Sequence, residues 1–302
     1  MTLGQDGKIC IEVAPNELIS KTVNPNVPYL PSEIVPEVIA CAREGAAVVH
    51  WHARYDDGSQ AWNDESLYRE AIEGIACDAN VVMYPSYFHA DFSHVWGLCD
   101  NPPKGALMEV APFDVFQHVG RTIWDAQAGR LRSRPFGGVR TAGDQGSEVL
   151  NEIRRRELKA SVATYEIGDI RWLYLAARQG LIDQPVNVKI FLSDQMLVGP
   201  FPTNEAIEFV LSQWPSDVDA ELTLGGVLLS DPDVAMRLVN IAIEQRVNVR
   251  VGIGDSAWAY PTSTSSELVA RATELIYRAG LSVATPDDVR RRLNLAAAPV
   301  AE

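Results

Sequence analysis

The sequence lacks the features that would direct a protein to a membrane or to nucleic acid. No apolar run approaches the ~18 residues of a membrane span, and the first residues show no basic-then-apolar signal pattern. We therefore expect a cytoplasmic protein without membrane contact. Basic residues are few, 26 Lys and Arg against 40 Asp and Glu, and the net charge is −14. Because such a surface repels phosphate backbones, we expect no nucleic-acid partner.

Cysteine pairs and glycine-rich fingerprints are also missing. The four cysteines are scattered without a CxxC pair, which argues against disulfides and a zinc knot. The turn after the first predicted strand reads APNE and contains no glycine, unlike a dinucleotide-binding turn. No GKS/T loop, GxSxG elbow or HExxH helix occurs. These absences disfavour an open nucleotide-binding sheet and the common hydrolase classes.

What the sequence does contain is a repeated alternation of strand and helix patterns. We count eight such units, with 47% hydrophobic residues and no composition shift along 302 residues. Eight parallel strand–helix units are typical of a (β/α)8 TIM barrel. We predict one barrel domain over residues 1–302. An irregular loop or hairpin insertion at 111–144, after the fourth strand, is expected to lie over the barrel mouth.

Two histidines form the sharpest chemical signal. His50 and His52 lie at the end of the second predicted strand, and residues i and i+2 of a strand point to the same face. Two adjacent imidazoles suit a divalent metal such as zinc. The alternative is a pair of hydrogen-bonded core histidines. Their position at a strand's carboxyl end, where barrel active sites lie, favours the metal.

A second group of polar residues lies at the end of the eighth predicted strand and just beyond it. Arg250 and Asp255 lie in the string VRVGIGDS. An aspartate beside an arginine stays oriented and ionised, as a general base requires. A buried ion pair without catalytic function is the alternative. Since strand eight neighbours strand one in a barrel, we expect this group to face the histidines.

Several of these strings resemble one family along nearly the whole chain. The string GAAVVHWHAR at 45–54, followed by DDG at 56–58, resembles the β-keto acid cleavage enzymes. Supporting strings are NPNVP at 24–28, LYRE at 67–70, VRVG at 249–252 and ATPD at 284–287.

The resemblance implies a zinc-bearing barrel, a transferase that condenses a β-keto acid with acetyl-CoA to give acetoacetate and a new acyl-CoA. By position, His50 and His52 match the zinc-binding histidines, with zinc or another divalent metal as cofactor. Arg250 matches the family's strand-eight arginine, Asp255 its catalytic aspartate and Glu17 an active-site glutamate. The resemblance also suggests a homo-oligomer.

The sequence departs from the family pattern at the third zinc ligand. The family has a glutamate before the aspartate on strand eight, where this chain has Gly254. Either the metal is lost or another carboxylate replaces the missing ligand. We select Glu12 on the first strand, with Glu109 on the fourth as second choice. The family's hydroxyls after strands three and four are also displaced, which leaves the acyl group of the substrate open.

An arginine-rich stretch interrupts the acidic chain between residues 120 and 140. Arg132 and Arg134 are our candidates for holding a CoA phosphate or a substrate carboxylate. A solvated hairpin or an oligomer contact is the alternative.

Three functions remain open at this point. The leading one is acetyl-CoA-dependent cleavage of a β-keto acid. A metal-dependent lyase or aldolase acting without CoA is the second, and a non-catalytic binding homologue is the third. An acidic pocket built from Glu12, Glu17 and Glu109 would suit a cationic substrate.

Overall fold

A computed structural model describes residues 1–86, 93–115, 122–125, 130–133 and 142–295. Its centre is an eight-stranded parallel sheet that curls into a nearly closed barrel with helices between the strands. This confirms the predicted (β/α)8 class. In chain order the barrel strands are β2 (Ile11–Val13), β3 (Val48–Val49), β4 (Val82–Met83), β5 (Val110–Asp114), β8 (Lys159–Thr164), β9 (Val186–Leu192), β10 (Ala220–Gly226) and β11 (Asn248–Val251).

Helices lie between these strands along the chain and after the last of them. They are α1 (Pro31–Glu44), α2 (Glu65–Asp78), α3 (Ser93–Asp100), α4 (Ala142–Arg155), α5 (Ile167–Arg178), α6 (Asn204–Ser212), α7 (Pro232–Glu244), α8 (Ile253–Ser256), α9 (Ser265–Arg278) and α10 (Pro286–Leu293). Within the described ranges, no helix is long and apolar enough to cross a bilayer.

The first helix shows how local sequence builds these elements. Pro31 occupies the first helical position, where its missing N–H costs nothing. Ile34, Val38 and Cys41 follow at helical spacing and are buried. Gly45 ends the helix with φ 116°, in the left-handed region that favours glycine. Local sequence signals therefore define both ends of this helix.

The amino-terminal end of the barrel is closed. Strand β1 (Lys8–Ile9) pairs with β12 (Ser282–Val283) outside the barrel. Helix α10 contributes Val289 and Leu293 to an apolar cluster with Cys10 at the barrel floor. Chemistry is therefore confined to the opposite, carboxyl end of the strands.

The fourth barrel strand starts later than the sequence pattern predicts. We expected a strand over 106–110, and the structure places it at Val110–Asp114. Pro112 lies inside this strand, an unusual position because proline cannot donate a ladder hydrogen bond. The strand tolerates it because, among the described residues, β5 pairs only with β8.

The segment after this strand contains an antiparallel hairpin. Strand β6 (Thr122–Asp125) pairs with β7 (Arg130–Ser133), with Ile123 opposite Arg132. Contacts from β7 reach α4 and α5. Arg132 is thus in a strand, whereas Arg134 lies outside the described residues.

Candidate active site

His50 and His52 lie together at the carboxyl end of the second barrel strand. Both are buried, and their ring centroids are 5.4 Å apart with perpendicular planes. The strand's two-residue period brings them to one face, as predicted. The hydrogen-bond partners of their ring nitrogens distinguish a pair of core histidines from a pair of metal ligands.

The proton on each Nδ1 is assigned by its partner. Nδ1 of His50 lies 2.7 Å from the carbonyl oxygen of Tyr84, which only accepts hydrogen bonds. Nδ1 of His52 lies 3.0 Å from Oε1 of Gln60, whose Nε2 donates to the backbone oxygen of Glu17 and so fixes the amide orientation. Both Nδ1 atoms therefore donate, which leaves Nε2 as the nitrogen of each ring that is available to a ligand.

Both Nε2 atoms face the carboxylate of Glu17. The distance is 2.8 Å from His52 Nε2 to Oε2 and 3.3 Å from His50 Nε2 to Oε1. Burial lowers the pKa of His50 to about 4, although the Glu17 carboxylate opposes the shift. Near pH 7 the lone pair of His50 therefore faces an anionic oxygen, and a cation between them would satisfy both.

Arg250 connects Glu17 to two further carboxylates. Its Nε and Nη2 donate to the two oxygens of Asp255 at 2.8 and 3.1 Å. Nη1 donates to Glu12 at 3.1 Å and to the hydroxyl of Tyr84 at 3.5 Å, and Nη2 also donates to Glu17. All five N–H groups are used within the protein. Arg250 thus positions three acids rather than offering a free fork to substrate.

Asp255 combines burial with a direct arginine partner. It lies in α8, directly after the eighth barrel strand, and is 3% exposed. Burial raises its pKa to about 7; Arg250 lowers it, and the Glu17 and Glu12 charges raise it further. A carboxyl group that titrates near neutrality can both take and return a proton there.

Glu12 lies one layer below the histidines and is engaged elsewhere. Its register partner is Val48, two residues before His50, which is about 7 Å along the strand. One of its oxygens forms an ion pair with Lys189, and the other accepts from Arg250 and Tyr84. The group of close ligand atoms is instead formed by Glu17, His50 and His52. The predicted third ligand therefore sits in a buried ion-pair network.

Glu109, the second choice for that ligand, lies at the wrong end of the barrel. It precedes β5 instead of ending it, and its carboxylate pairs with Arg290 of α10 at 2.7 and 3.0 Å. With Glu12 and Glu109 neutralised by cations, the predicted acidic pocket for a cationic substrate is not formed.

Glu109→Gln tests this placement. We expect unfolding free energy to fall by roughly 3 kcal/mol, because the change removes a charge from a buried pair. Substrate turnover should stay within about twofold, since the residue is remote from the mouth. Thermal unfolding and steady-state assays check both. Glu274→Gln, in an exposed pair with Arg278, is the matched control and should cost less than ~0.5 kcal/mol. A large loss of turnover without loss of stability would contradict the placement of Glu109 at the closed, amino-terminal end of the barrel.

Sequence reasoning missed three groups at this site. Lys189 interrupts the apolar strand Val186–Leu192, and a lysine inside a fully buried strand signals a charged partner. Tyr84 supplies both the carbonyl for His50 and a hydroxyl for Glu12. Tyr165, after the fifth barrel strand, stacks on Phe191 at 5.4 Å. The aromatic pair gave no local signal, because Tyr165 follows one strand and Phe191 lies in the next.

Arg121 and Arg140, at the two ends of the arginine-rich stretch, lie outside the described residues.

The fold and the site together define a (β/α)8 enzyme with a histidine–carboxylate cluster at the carboxyl ends of its strands. The chain belongs to the beta-keto acid cleavage enzyme family, whose model matches residues 8–295. The expected family membership and enzymatic nature are thereby confirmed.

Curated relatives match over nearly their full length. A 3-keto-5-aminohexanoate cleavage enzyme of Fusobacterium nucleatum is 25% identical, covering 92% of this chain and 94% of the relative. A 3-dehydrocarnitine:acetyl-CoA trimethylamine transferase of Rhizobium meliloti is 24% identical, covering 95% of each.

A solved structure agrees in fold. ObcA in complex with oxaloacetate superposes with a TM-score of 0.63 at 15% identity, covering 90% of this chain and 68% of that one. This likeness supports the barrel assignment alone.

Proposed function

We propose that the protein exchanges acyl groups between a β-keto acid and acetyl-CoA, releasing acetoacetate and a new acyl-CoA. The observation that carries the proposal is that one arginine connects a candidate general base to the histidines that would bind a metal. Asp255 is held by Arg250, and the same guanidinium contacts Glu17 beside the two histidines. Relatives named as acetyl-CoA transferases of keto acids support the reaction class.

The histidines suit a divalent metal, zinc being our choice. Zinc takes imidazole nitrogen and carboxylate oxygen, and outer-shell acceptors usually fix the other ring nitrogen. His50 and His52 meet both conditions through Tyr84 and Gln60. Bound there, the metal would act as a Lewis acid toward the keto and carboxylate oxygens of the substrate.

The stoichiometry of the reaction assigns a task to Asp255. One carbon–carbon bond and one carbon–sulfur bond break, and one of each forms, so no proton is gained or lost overall. The carbon between ketone and carboxylate must lose a proton to attack the thioester and regain it later. Asp255 takes this proton on its carboxylate and returns it, as its near-neutral pKa allows.

The remaining buried charges keep this carboxylate in place. Lys189 pairs with one oxygen of Glu12, so that Glu12 engages only Nη1 of Arg250. The guanidinium is left to hold Asp255 bidentately and Glu17 at the same time. Preorganised charges of this kind do not need to reorganise during the reaction.

Three further parts of the proposal rest on the sequence. Arg132 and Arg134 would bind CoA phosphates. The protein would assemble as a homo-oligomer and reside in the cytoplasm.

Dependence on acetyl-CoA is the decisive experiment. With a panel of β-keto acids, we expect acetoacetate to form only when acetyl-CoA is present, in a one-to-one ratio with a new acyl-CoA. Acetyl-CoA labelled in the acetyl group should transfer its label to carbons 3 and 4 of acetoacetate. Cleavage that proceeds equally without acetyl-CoA would favour the lyase alternative. Ligand-induced stabilisation without turnover would favour a binding protein.

A further inference from the structure

We infer that Glu17, in the loop after the first barrel strand, is the third protein ligand of the metal. It replaces the strand-eight side chain that is missing at Gly254. This inference rests on the proposed metal at His50 and His52. It identifies the ligand set of this chain and explains why the glycine at 254 leaves the site intact.

Gly254 has no room for a side chain. A Cβ atom added to it would lie 2.7 Å from the carbonyl oxygen of Ala14 and 2.8 Å from the backbone nitrogen of Asn16. The N–H of Gly254 also donates to that Ala14 oxygen at 2.9 Å. The backbone of the loop at 14–16 therefore occupies the space that a ligand from position 254 would need.

Gly252 permits the same approach. Its φ of 141° is in a region that favours glycine, and a Cβ there would lie 2.1 Å from the oxygen of Ala14. Both glycines of the VGIG string thus admit the first loop against the end of strand eight. The absence of a side chain at position 254 is therefore what allows the loop at 14–16 to pack inward.

The same loop delivers Glu17 to the histidines. Asn16 is buried and bonded to the backbone of His52 in both directions, donating to its oxygen at 2.8 Å and accepting from its nitrogen at 2.9 Å. A third bond joins Asn16 to the oxygen of Pro28 at 3.0 Å. Glu17 follows with φ 40°, a left-handed conformation uncommon for glutamate. These constraints turn its carboxylate toward both Nε2 atoms.

The resulting donor set has the composition of a catalytic zinc site. Two imidazoles and one carboxylate leave a fourth position open for substrate. Arg250, donating to Oε1 of Glu17, acts as the outer-shell partner that orients a ligating carboxylate. Glu12 cannot serve instead, because both of its oxygens are bound to cations one layer lower.

Metal binding by purified protein tests the inference without an activity assay. The wild type, stripped by chelation and titrated with Zn²⁺ against a competing indicator, should bind one equivalent. Glu17→Gln should weaken this affinity by more than about 100-fold, beyond the 10- to 100-fold typical of outer-shell changes, and a smaller loss would contradict its role as a ligand. Glu12→Gln is the matched control, the same change in a buried acid of the same network, and should lose less than tenfold. His50→Ala should abolish binding.

Two further measurements keep the test decisive. Glu17→Asp retains the charge but is one methylene shorter, and its Co²⁺ absorption spectrum should differ from the wild type's if Glu17 is a ligand. The double variant Glu17→Gln with Gly254→Glu should not regain affinity, because the loop fills that space. Recovery of binding there would overturn the inference.

The outcomes separate the ligand assignment from the proposed function. Equal affinity of wild type and Glu17→Gln, with loss only in His50→Ala, would overturn the role of Glu17 and keep the metal. Absence of His50-dependent binding in the wild type would overturn the metal site itself.

Discussion

Replacing Asp255 with asparagine is expected to lower kcat/KM by roughly 10²- to 10⁴-fold, the usual contribution of a general base. The amide cannot take a proton from the carbon between ketone and carboxylate. It can still accept hydrogen bonds from Arg250, so we expect the fold to persist. Zinc stoichiometry should also be unchanged, since Asp255 is not among the close ligand atoms. Steady-state kinetics of the wild type and the asparagine variant measure the loss.

The pH dependence of the wild type provides the second half of this test. Burial raises the pKa of Asp255 to about 7. The charges of Glu17 and Glu12 also raise this pKa, whereas Arg250 lowers it. Only the ionised form is a base, so kcat/KM should fall tenfold per pH unit below that pKa. A bound cation favours the carboxylate, which places the midpoint at or below about 7.

The asparagine variant should show no such acidic limb. If the limb persists unchanged in Asp255→Asn, another group acts as the base. Asp217→Asn, at an exposed ion pair with Arg178, is the control and should keep wild-type kinetics within about twofold.

Replacing Arg250 with methionine is expected to destabilise the protein by about 3–5 kcal/mol, as for other broken buried ion pairs. The guanidinium side chain is 5% exposed and contacts Glu12, Glu17 and Asp255. Its removal leaves these carboxylates close together with Lys189 as the remaining cation of the network. Denaturant unfolding measures the change.

Two companion variants identify the cause. Arg250→Lys keeps one charge but loses the five-donor fork, and its stability should lie between those of wild type and methionine variant. Arg155→Met removes an exposed arginine paired with Glu152 and should cost less than ~1 kcal/mol. A methionine variant as stable as the wild type near pH 7 would contradict the proposed charge network.

The sequence predicted the architecture because the barrel depends on local patterns. Each of the eight buried strands and amphipathic helices is specified by residues adjacent in sequence, and so is the helix end at Gly45. The shared face of His50 and His52 follows from the strand period alone. The fourth strand was predicted at 106–110 but lies at Val110–Asp114, because apolar residues occupy both stretches and the pattern does not separate them. That error placed Glu109 at the mouth instead of the floor.

By itself, then, the sequence determined the barrel, the histidine pair and the arginine–aspartate pair of strand eight. Tertiary structure decided which acid faces the histidines. Glu12 and Glu17 are five residues apart in one short segment, and composition does not distinguish them. The choice depends on strand register, on the left-handed backbone of Glu17 and on the space freed by Gly254. These features depend on contacts between distant segments, which only the folded chain brings together.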